Sequence, residues 1–192
     1  MAGYPGDWLE HRAGEPASDL DLVVLLLNTL DYLEDPPDRL SDLTWIREVV
    51  AEVGHADIAE ALRAQDLTGL RELRESLLAV FRATSADEAA QLLNRMLLEA
   101  SAVPEVVVST TGDLGLAVAP RKRGLAALQA RLPAALATQV AERGLGRLGT
   151  CAASPCQCAF VDRTRAETRR FCCGACNDRA AAQLYRQRRR KA

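Results

Sequence analysis

The chain reads Cys151-Ala-Ala-Ser-Pro-Cys156-Gln-Cys158 and, after thirteen intervening residues, Cys172-Cys173-Gly-Ala-Cys176. These two stretches hold all six cysteines of a chain of 192 residues. A structural zinc ion takes four ligands in a tetrahedron, and each pair of cysteine ligands must sit on a tight turn. The clustering therefore predicts a small zinc module near the C-terminus.

One pair of ligands is expected from each stretch. Pro155 helps the first turn to fold back, and Gly174 gives the second turn the freedom to bend. Fifteen residues lie between the two pairs, enough for a short hairpin through Phe160 and Val161. The spacing predicts one structural Zn²⁺ bound by Cys151, Cys156, Cys172 and Cys176.

Two cysteines remain outside this ligand set, and the alternatives concern them. Cys158 is an alternative to Cys156 as a ligand. The thiols could instead be buried small hydrophobic groups, or Cys158 and Cys173 could form a redox switch beside the metal. Because every cysteine lies in one basic segment, a metal site is favoured over buried thiols. Zinc binding would then supply on the order of 10 kcal/mol to fold a segment with few apolar residues.

Charge is distributed unevenly along the chain. From Cys151 to the end, ten Lys and Arg stand against three Asp and Glu, a formal charge of +7. The whole chain has −2, so the part before Cys151 has −9. Four thiolates around one Zn²⁺ lower the C-terminal charge to about +5. An acidic body with a basic end is typical of a protein whose one end binds a polyanion.

Arginine suits phosphate because its guanidinium group donates two hydrogen bonds at once. The last helix, capped by Asn177 or Asp178, is expected to contact phosphates. The loop between the ligand pairs is held rigid by the metal and is better placed for base edges. The predicted DNA-binding residues are Arg163, Arg165, Arg169, Arg170, Arg179, Arg186, Arg188, Arg189, Arg190 and Lys191.

Other interpretations apply to the same residues. The run from Arg186 to the end could be a frayed, solvated tail. Arg165 or Arg170 could bond to Asp162 inside the finger instead of contacting DNA. The two phenylalanines of the segment, Phe160 and Phe171, are interpreted as the small core of the finger.

Residues 19–144 have the pattern of a helical domain that contains one β-hairpin. Residues 106–109 and 114–119 flank Thr110-Thr111-Gly112-Asp113 and predict the hairpin. Residues 1–18 are expected to form a flexible leader, and Gly144, Gly146 and Gly149 a pliable link to the zinc module at 145–192. Helices are predicted at 19–33 with Asp19 as cap, at 41–54 with Ser41 as cap, and at 56–64, 68–84, 85–102 and 124–142, the last kinked near Pro133.

The C-terminal residues resemble the CGNR-type zinc finger of bacterial stress-induced transcription regulators. The naming tetrapeptide reads Cys176-Asn177-Asp178-Arg179 here, without its Gly. The other matching features are Cys-x4-Cys, Phe160-Val161-Asp162, Thr164-Arg165 and Arg169-Arg170-Phe171-Cys172. The resemblance implies a treble-cysteine-knot-like finger that ends in a basic helix.

The preceding residues are similar to the helical ABATE domain of the same family. The similarity lies in Asp21-Leu22-Val23, Leu27-Asn28-Thr29-Leu30, Trp45 and Leu70-Arg71-Glu72-Leu73-Arg74. With the finger, it covers nearly everything after residue 18. It implies a mainly α protein whose helical domain senses a small-molecule effector or mediates formation of a homodimer.

The sequence carries no motif that indicates an enzyme. His11 lies in the leader, and His55 follows Gly54, where exposure is expected. The acidic residues beside Pro36-Pro37 are interpreted as a solvated turn; they are Asp31, Glu34, Asp35 and Asp38. Four thiolates fill the coordination shell of zinc and leave no position for a water molecule.

The sequence predicts a cytoplasmic chain that does not insert into a membrane. The longest apolar run, at 23–27, is far below the roughly 20 residues that span a bilayer, and the N-terminus has no apolar signal core. The leading hypothesis is a bacterial transcription regulator whose finger and basic helix bind DNA. The alternative is a zinc-stabilised module that binds a protein partner, or RNA without sequence preference.

Overall fold

The computed structural model describes residues 18–108 and 111–191, with side chains through Arg189. The predicted leader up to residue 17, His11, and part of the predicted hairpin turn lie outside the described residues. The elements in chain order are α1 (Asp19–Leu27), α2 (Thr44–Glu52), α3 (Ala56–Ala61), α4 (Asp66–Phe81), α5 (Ala86–Glu99), β1 (Pro104–Val108), β2 (Leu114–Val118), α6 (Gly124–Arg143), a 3-10 turn (Leu145–Arg147), β3 (Leu148–Thr150), β4 (Ala159–Val161) and α7 (Gly174–Lys191). The fold is mainly α with a small hairpin, as the sequence predicts.

Helix α1 lies in the centre of the hydrophobic core. Leu22, Val23 and Leu26 are each at most 2% exposed, so the helix is buried on more than one face. Buried leucines of α4 and α6 belong to the same core, and so do Ala159 and Val161 of β4. Strand β4 of the finger predicted at 145–192 therefore packs into the core of the helical domain predicted at 19–144, while the cysteines and Phe160 form a separate small core.

The first helix is shorter than predicted. It ends at Leu27 rather than at residue 33, and the cap is Ser18 rather than Asp19. The Asp21 carboxylate accepts hydrogen bonds from the Ser18 N–H and hydroxyl, both at 2.8 Å. After Leu27 the backbone turns away, because Leu30 pairs with Asp38 in an isolated antiparallel bridge.

The remaining helices are found where the periodicity predicts them, with shifted ends. Helix α2 begins at Thr44, whose N–H is bonded to Asp42 Oδ1 at 2.7 Å, and Ser41 is not its cap. Ser85 caps α5 as predicted, with its hydroxyl accepting the Glu88 N–H at 3.1 Å. Helix α6 runs through Pro133 as one 20-residue element. Within the described residues, none of the helices combines the length and apolar character needed to cross a bilayer.

Strands β1 and β2 form the predicted antiparallel hairpin. Val106 pairs with Leu116, and Val108 pairs with Leu114. Strand β1 begins two residues earlier than predicted, at Pro104, and β2 ends one residue earlier, at Val118. The hairpin follows α5 and precedes α6 in the chain.

The glycine-containing link to the zinc module is ordered rather than pliable. Gly144 ends α6 with a φ of +87°, a conformation that glycine adopts readily, and the 3-10 turn follows at once. Strand β3 then pairs with β4, bringing Gly149 against the ring of Phe160. A Cβ atom on Gly149 would lie 2.6 Å from that ring, so the close approach requires glycine.

A buried arginine anchors the loop that was interpreted as a solvated turn. Arg74 of α4 is 5% exposed and donates to both carboxylate oxygens of Asp38, at 2.7 and 3.1 Å. It also donates to the Thr29 hydroxyl at 2.9 Å. The interpretation as a solvated turn is therefore wrong for Asp38, because a partner from a distant helix lies beneath the loop. The hydrogen bond from Arg74 is the main reason that the pKa of Asp38 lies below its ordinary value.

This lowered pKa makes a prediction for Asp38→Asn. The stabilisation from ionised Asp38 is fully present above about pH 4 and is lost as the pH falls through the lowered pKa. We expect the substitution to reduce the free energy of unfolding by about 1–3 kcal/mol at pH 7. The difference from wild type should shrink toward pH 3 in urea unfolding experiments. Exposed Glu72 provides the control: Glu72→Gln should change the stability little at either pH.

Candidate zinc centre and nucleic-acid interface

The sulfur atoms of four cysteines lie close together inside the finger. The Sγ atoms of Cys151, Cys156, Cys172 and Cys176 all lie within 4.8 Å of one another, and the four residues are buried. Measured pairs are 3.6 Å from Cys156 to Cys172 and 3.5 Å from Cys172 to Cys176. Bonds of 2.3 Å to a tetrahedral zinc ion place neighbouring sulfurs about 3.8 Å apart. The four cysteines are thus placed to bind one zinc ion, as predicted.

The first pair of ligands is held by the β3–β4 hairpin. Cys151 follows β3 directly, and its N–H donates to the Cys158 carbonyl at 2.9 Å. Within the turn, the Cys156 N–H donates to the Ala153 carbonyl at 2.9 Å. The hairpin was predicted within the loop between the ligand pairs, and this is wrong: Phe160 pairs with Gly149, which precedes Cys151.

The second pair of ligands is held by the start of α7. The helix begins at Gly174, so Cys172 precedes it and Cys176 lies in its first turn. The predicted start at Asn177 or Asp178 is wrong, because the Asn177 N–H already makes a helical bond to the Cys173 carbonyl at 3.2 Å. The positive end of the helix dipole points toward the cluster and favours a thiolate there.

The two remaining cysteines lie beside the cluster rather than in it. Cys158 is buried, and its sulfur lies within 4.8 Å of the Cys156 sulfur and a carboxylate oxygen of Asp31. Cys173 is half-buried, with its sulfur 3.8 Å from that of Cys172. The geometry favours Cys156 over Cys158 as the ligand. A redox role for the two extra cysteines stays a prediction.

The thiols influence one another strongly. Hydrogen bonds from Cys158 and Cys172 lower the pKa of the Cys156 thiol. The pKa of Cys172 is raised, chiefly through its hydrogen bond to Cys156. The cluster alone therefore favours one thiolate among neutral thiols, and a divalent cation would allow all four to ionise.

Arg179 lies against this cluster. Its guanidinium group donates to Cys176 Sγ at 3.1 Å and to the Ala153 carbonyl at 3.4 Å. Burial opposes its charge, but electrostatic interactions with the cysteine sulfurs, chiefly Cys176, hold the pKa of Arg179 above the ordinary value. Arg179, which was predicted to contact DNA, is thus placed where it supports the zinc site.

Asp162 closes the loop between the ligand pairs. Its carboxylate accepts the Thr164 N–H at 2.8 Å, the Thr164 hydroxyl at 2.6 Å and the Arg169 N–H at 2.8 Å. Burial alone would raise the pKa of Asp162, but these hydrogen bonds hold it below the ordinary value. In the part of the chain that is described, these groups bond to Asp162, and the side chains of Arg165 and Arg170 do not.

Two of the four loop arginines are engaged within the protein. Arg163 donates to Asp21 Oδ1 of α1 at 2.8 Å. Arg169 donates to the carbonyls of Phe171 and Cys172, and its guanidinium carbon lies 4.9 Å from the centre of the Phe160 ring. Both phenylalanines contribute to the finger core as predicted, Phe160 buried and Phe171 partly so.

The remaining described arginines of the predicted interface are exposed, as Arg163 and Arg169 also are, but their side chains make no hydrogen bond or ion pair within the described residues. Arg165 and Arg170 lie on the loop, Arg170 with its guanidinium carbon 5.8 Å from the centre of the Phe171 ring. On α7, every described side chain after Gln183 is exposed, including those of Arg186, Arg188 and Arg189. The helix continues to Lys191, although the side chains of Arg190 and Lys191 lie outside the described part.

Comparison with known families agrees with this geometry. Residues 20–153 match the family model ABATE, described as "Putative stress-induced transcription regulator". The chain belongs to this family. Residues 147–189 match the CGNR zinc finger. The two matches overlap at residues 147–153, which include β3, the strand that leads from the ABATE domain into the finger. Among curated proteins, none matches the chain.

The ABATE domain holds the CGNR finger through the end of α1. The Asn28 side chain accepts the Ala159 N–H at 2.7 Å and donates to the Ala159 carbonyl at 3.0 Å. It pairs with β4 as a neighbouring strand would. This contact was not predicted from the sequence. The signal that could have indicated it was a polar residue, Asn28, directly after an apolar helix.

Arg147 is a second residue that the sequence analysis missed. It donates to the carbonyls of Asp162 and Thr164 and forms an ion pair with Glu167 at 2.6 Å. The side chain therefore ties the entrance of the finger to the loop that carries the arginines. Its position four residues before Cys151 was the available signal.

The prediction that His55 is exposed is wrong. Its side chain is 19% exposed, and Nε2 lies 2.6 Å from Asp19 Oδ1. Arg131 of α6 forms an ion pair with the other oxygen of the same carboxylate at 3.0 Å. The three side chains line a cavity of about 490 Å³ at the start of α1, together with Leu20 and Val53.

The zinc assignment predicts the metal content of matched cysteine variants. Wild type purified under reducing conditions should carry one zinc ion per chain. Changes outside the ligand shell weaken metal binding about 10–100-fold, so loss of a ligand in Cys176→Ser should weaken it at least about 100-fold. Competition with a chromophoric chelator measures the affinity.

Three further variants distinguish the ligand from its neighbours. Cys156→Ser should behave as Cys176→Ser does, whereas Cys158→Ser and Cys173→Ser should retain zinc. Loss of zinc in Cys158→Ser with retention in Cys156→Ser would contradict the assignment.

The contact between α1 and β4 predicts a stability effect. Asn28→Ala leaves the Ala159 N–H and carbonyl without partners, so we expect the free energy of unfolding to fall by about 1–3 kcal/mol. The Ala159 amide should also exchange with deuterium faster. Asn94→Ala, at an exposed position of α5, is the control, and an equal loss in both variants would contradict the assigned role.

Proposed function

We propose that this chain is a cytoplasmic bacterial transcription regulator of the stress response, in which the CGNR finger and α7 bind DNA. One observation carries the proposal: α7 has the candidate zinc ligand Cys176 in its first turn and presents exposed arginines beyond Gln183. A metal-anchored helix keeps its charges in a defined position, which a free basic tail does not. Arg186, Arg188 and Arg189 are its described cationic side chains after that point.

The proposed DNA contacts are the exposed arginines whose side chains make no hydrogen bond or ion pair within the described residues. Arg165 and Arg170 on the loop join the three arginines of α7, and Arg190 and Lys191 extend the same helix. Arg163, Arg169 and Arg179 act instead within the protein, where their hydrogen bonds fix the loop and the start of α7. We assign no catalytic activity, since four thiolates complete a tetrahedral zinc shell.

The ABATE domain either senses an effector or mediates dimerisation in this proposal. The cavity beside His55 and Arg131 is in the size range of small-molecule sites, about 300–1,000 Å³. It opens at the start of α1, whose Asp21 pairs with Arg163 and whose end is followed by Asn28. An effector that shifts α1 would therefore alter the contacts of the finger.

Salt dependence of DNA binding tests the assigned contacts. About five phosphate contacts imply a slope of log K against log salt of roughly −4 to −5 on duplex DNA. Replacing Arg186, Arg188 and Arg189 together by Ala should reduce the magnitude of the slope by about three. Fluorescence anisotropy at several salt concentrations measures it.

A second triple variant controls for net charge. Arg82, Arg95 and Arg143 are exposed on the ABATE domain, and their replacement by Ala removes the same charge. The slope should then stay as in wild type. Equal effects of both triple variants would contradict the proposed interface.

Selection from random duplexes separates regulation from the alternative function. A transcription regulator should yield sequences bound at least about tenfold more tightly than random DNA. If none is found, sequence-specific regulation is excluded and the zinc-stabilised module for protein or RNA binding is the better proposal.

A further inference from the structure

The β1–β2 hairpin carries an apolar face that no described residue covers. Val106 and Val108 are 70% and 68% exposed, and their cross-strand partners Leu116 and Leu114 are 74% and 77% exposed. The four side chains lie on one face, because residues two apart in a strand point the same way and direct partners share a face. Large aliphatic side chains rarely remain this exposed as a group unless they serve an interaction.

Within the two strands, the one charged residue lies on the other face of the hairpin. Glu105 lies between the exposed positions of β1, is 29% exposed in its side chain, and pairs with Arg121 at 3.0 Å. The alternation of β1 therefore places the charged and half-buried residues on the inner face and the valines on the outer face. The outer face offers no charge to select a charged partner.

We propose that this outer face binds the same face of a second copy of the chain. A flat aliphatic surface without charge is complementary to itself, and two-fold symmetric dimers pair identical patches. The four residues expose about 500 Å² per copy, so complete pairing would bury about 1,000 Å² in total, the lower limit for a specific interface.

This inference rests on the proposed function only in selecting dimerisation as a role of the ABATE domain. Two copies would present two fingers and two basic helices to one duplex. Dimeric regulators bind DNA sites of matching two-fold symmetry.

The test measures mass in solution by sedimentation equilibrium at 0.1 M and 1 M NaCl. Wild type should have twice the 20.8 kDa mass of one chain at both salt concentrations, because burial of an apolar face does not weaken with salt. The double variant Val106→Glu with Leu116→Lys keeps an attractive cross-strand pair but places charges at the interface. Its dimer dissociation constant should rise at least about 100-fold, with unchanged circular dichroism and zinc content.

The control is Leu98→Lys on α5, a residue 79% exposed outside the hairpin. This variant should remain dimeric. Benzoylphenylalanine at position 114 provides a second measurement and should crosslink two copies of the chain on irradiation.

Monomeric wild type at both salt concentrations would overturn the inference, and so would crosslinking at position 114 only to another part of the same chain. A dimer lost in Leu98→Lys and kept in the hairpin variant would overturn it as well. DNA binding distinguishes this failure from that of the proposed function: a monomer that binds selected DNA refutes only the dimer, and a dimer without DNA binding refutes only the function.

Discussion

Four sulfur atoms held within 4.8 Å of one another are the constraint on which the C-terminal finger depends. Thiolates at that distance repel, and in the cluster itself the pKa of Cys156 falls while that of Cys172 rises. A divalent cation reverses this, since it binds the ionised form of every ligand. One ion thus connects the turn between β3 and β4 to the first turn of α7. The direction in which the arginine-rich helix leaves the protein follows from that connection.

Helix α1 joins this zinc centre to the ABATE domain. Its apolar residues occupy the centre of the core, while Asp21 and the following Asn28 reach the finger. Asp19, at its other end, is held by His55 and Arg131. A nine-residue helix therefore contacts both the cavity and the finger, and it is the physical connection through which the two parts can influence each other.

The structure divides the arginines of the basic segment into two groups. Arg163, Arg169 and Arg179, together with Arg147, donate hydrogen bonds to carbonyls, carboxylates and a cysteine sulfur. These bonds stabilise a segment that has little hydrophobic core of its own. The second group is exposed and makes no hydrogen bond or ion pair within the described residues; it comprises Arg165, Arg170, Arg186, Arg188 and Arg189. Arginine serves both purposes because its five N–H donors suit buried carbonyls as well as phosphate. Composition alone does not separate the two groups.

The sequence by itself determined the mainly α fold, the hairpin and the four ligands, because helical periodicity, turn residues and cysteine spacing are local properties. Helix ends were less well predicted: α1 stops at Leu27 because Leu30 pairs with Asp38, and α7 starts early because Cys176 must face the cluster. Only the tertiary structure decided the roles of Asn28, Arg163, Arg74 and His55. Asn28 meets Ala159 across 131 positions and Asp21 meets Arg163 across 142, and no local pattern carries information about partners at that separation.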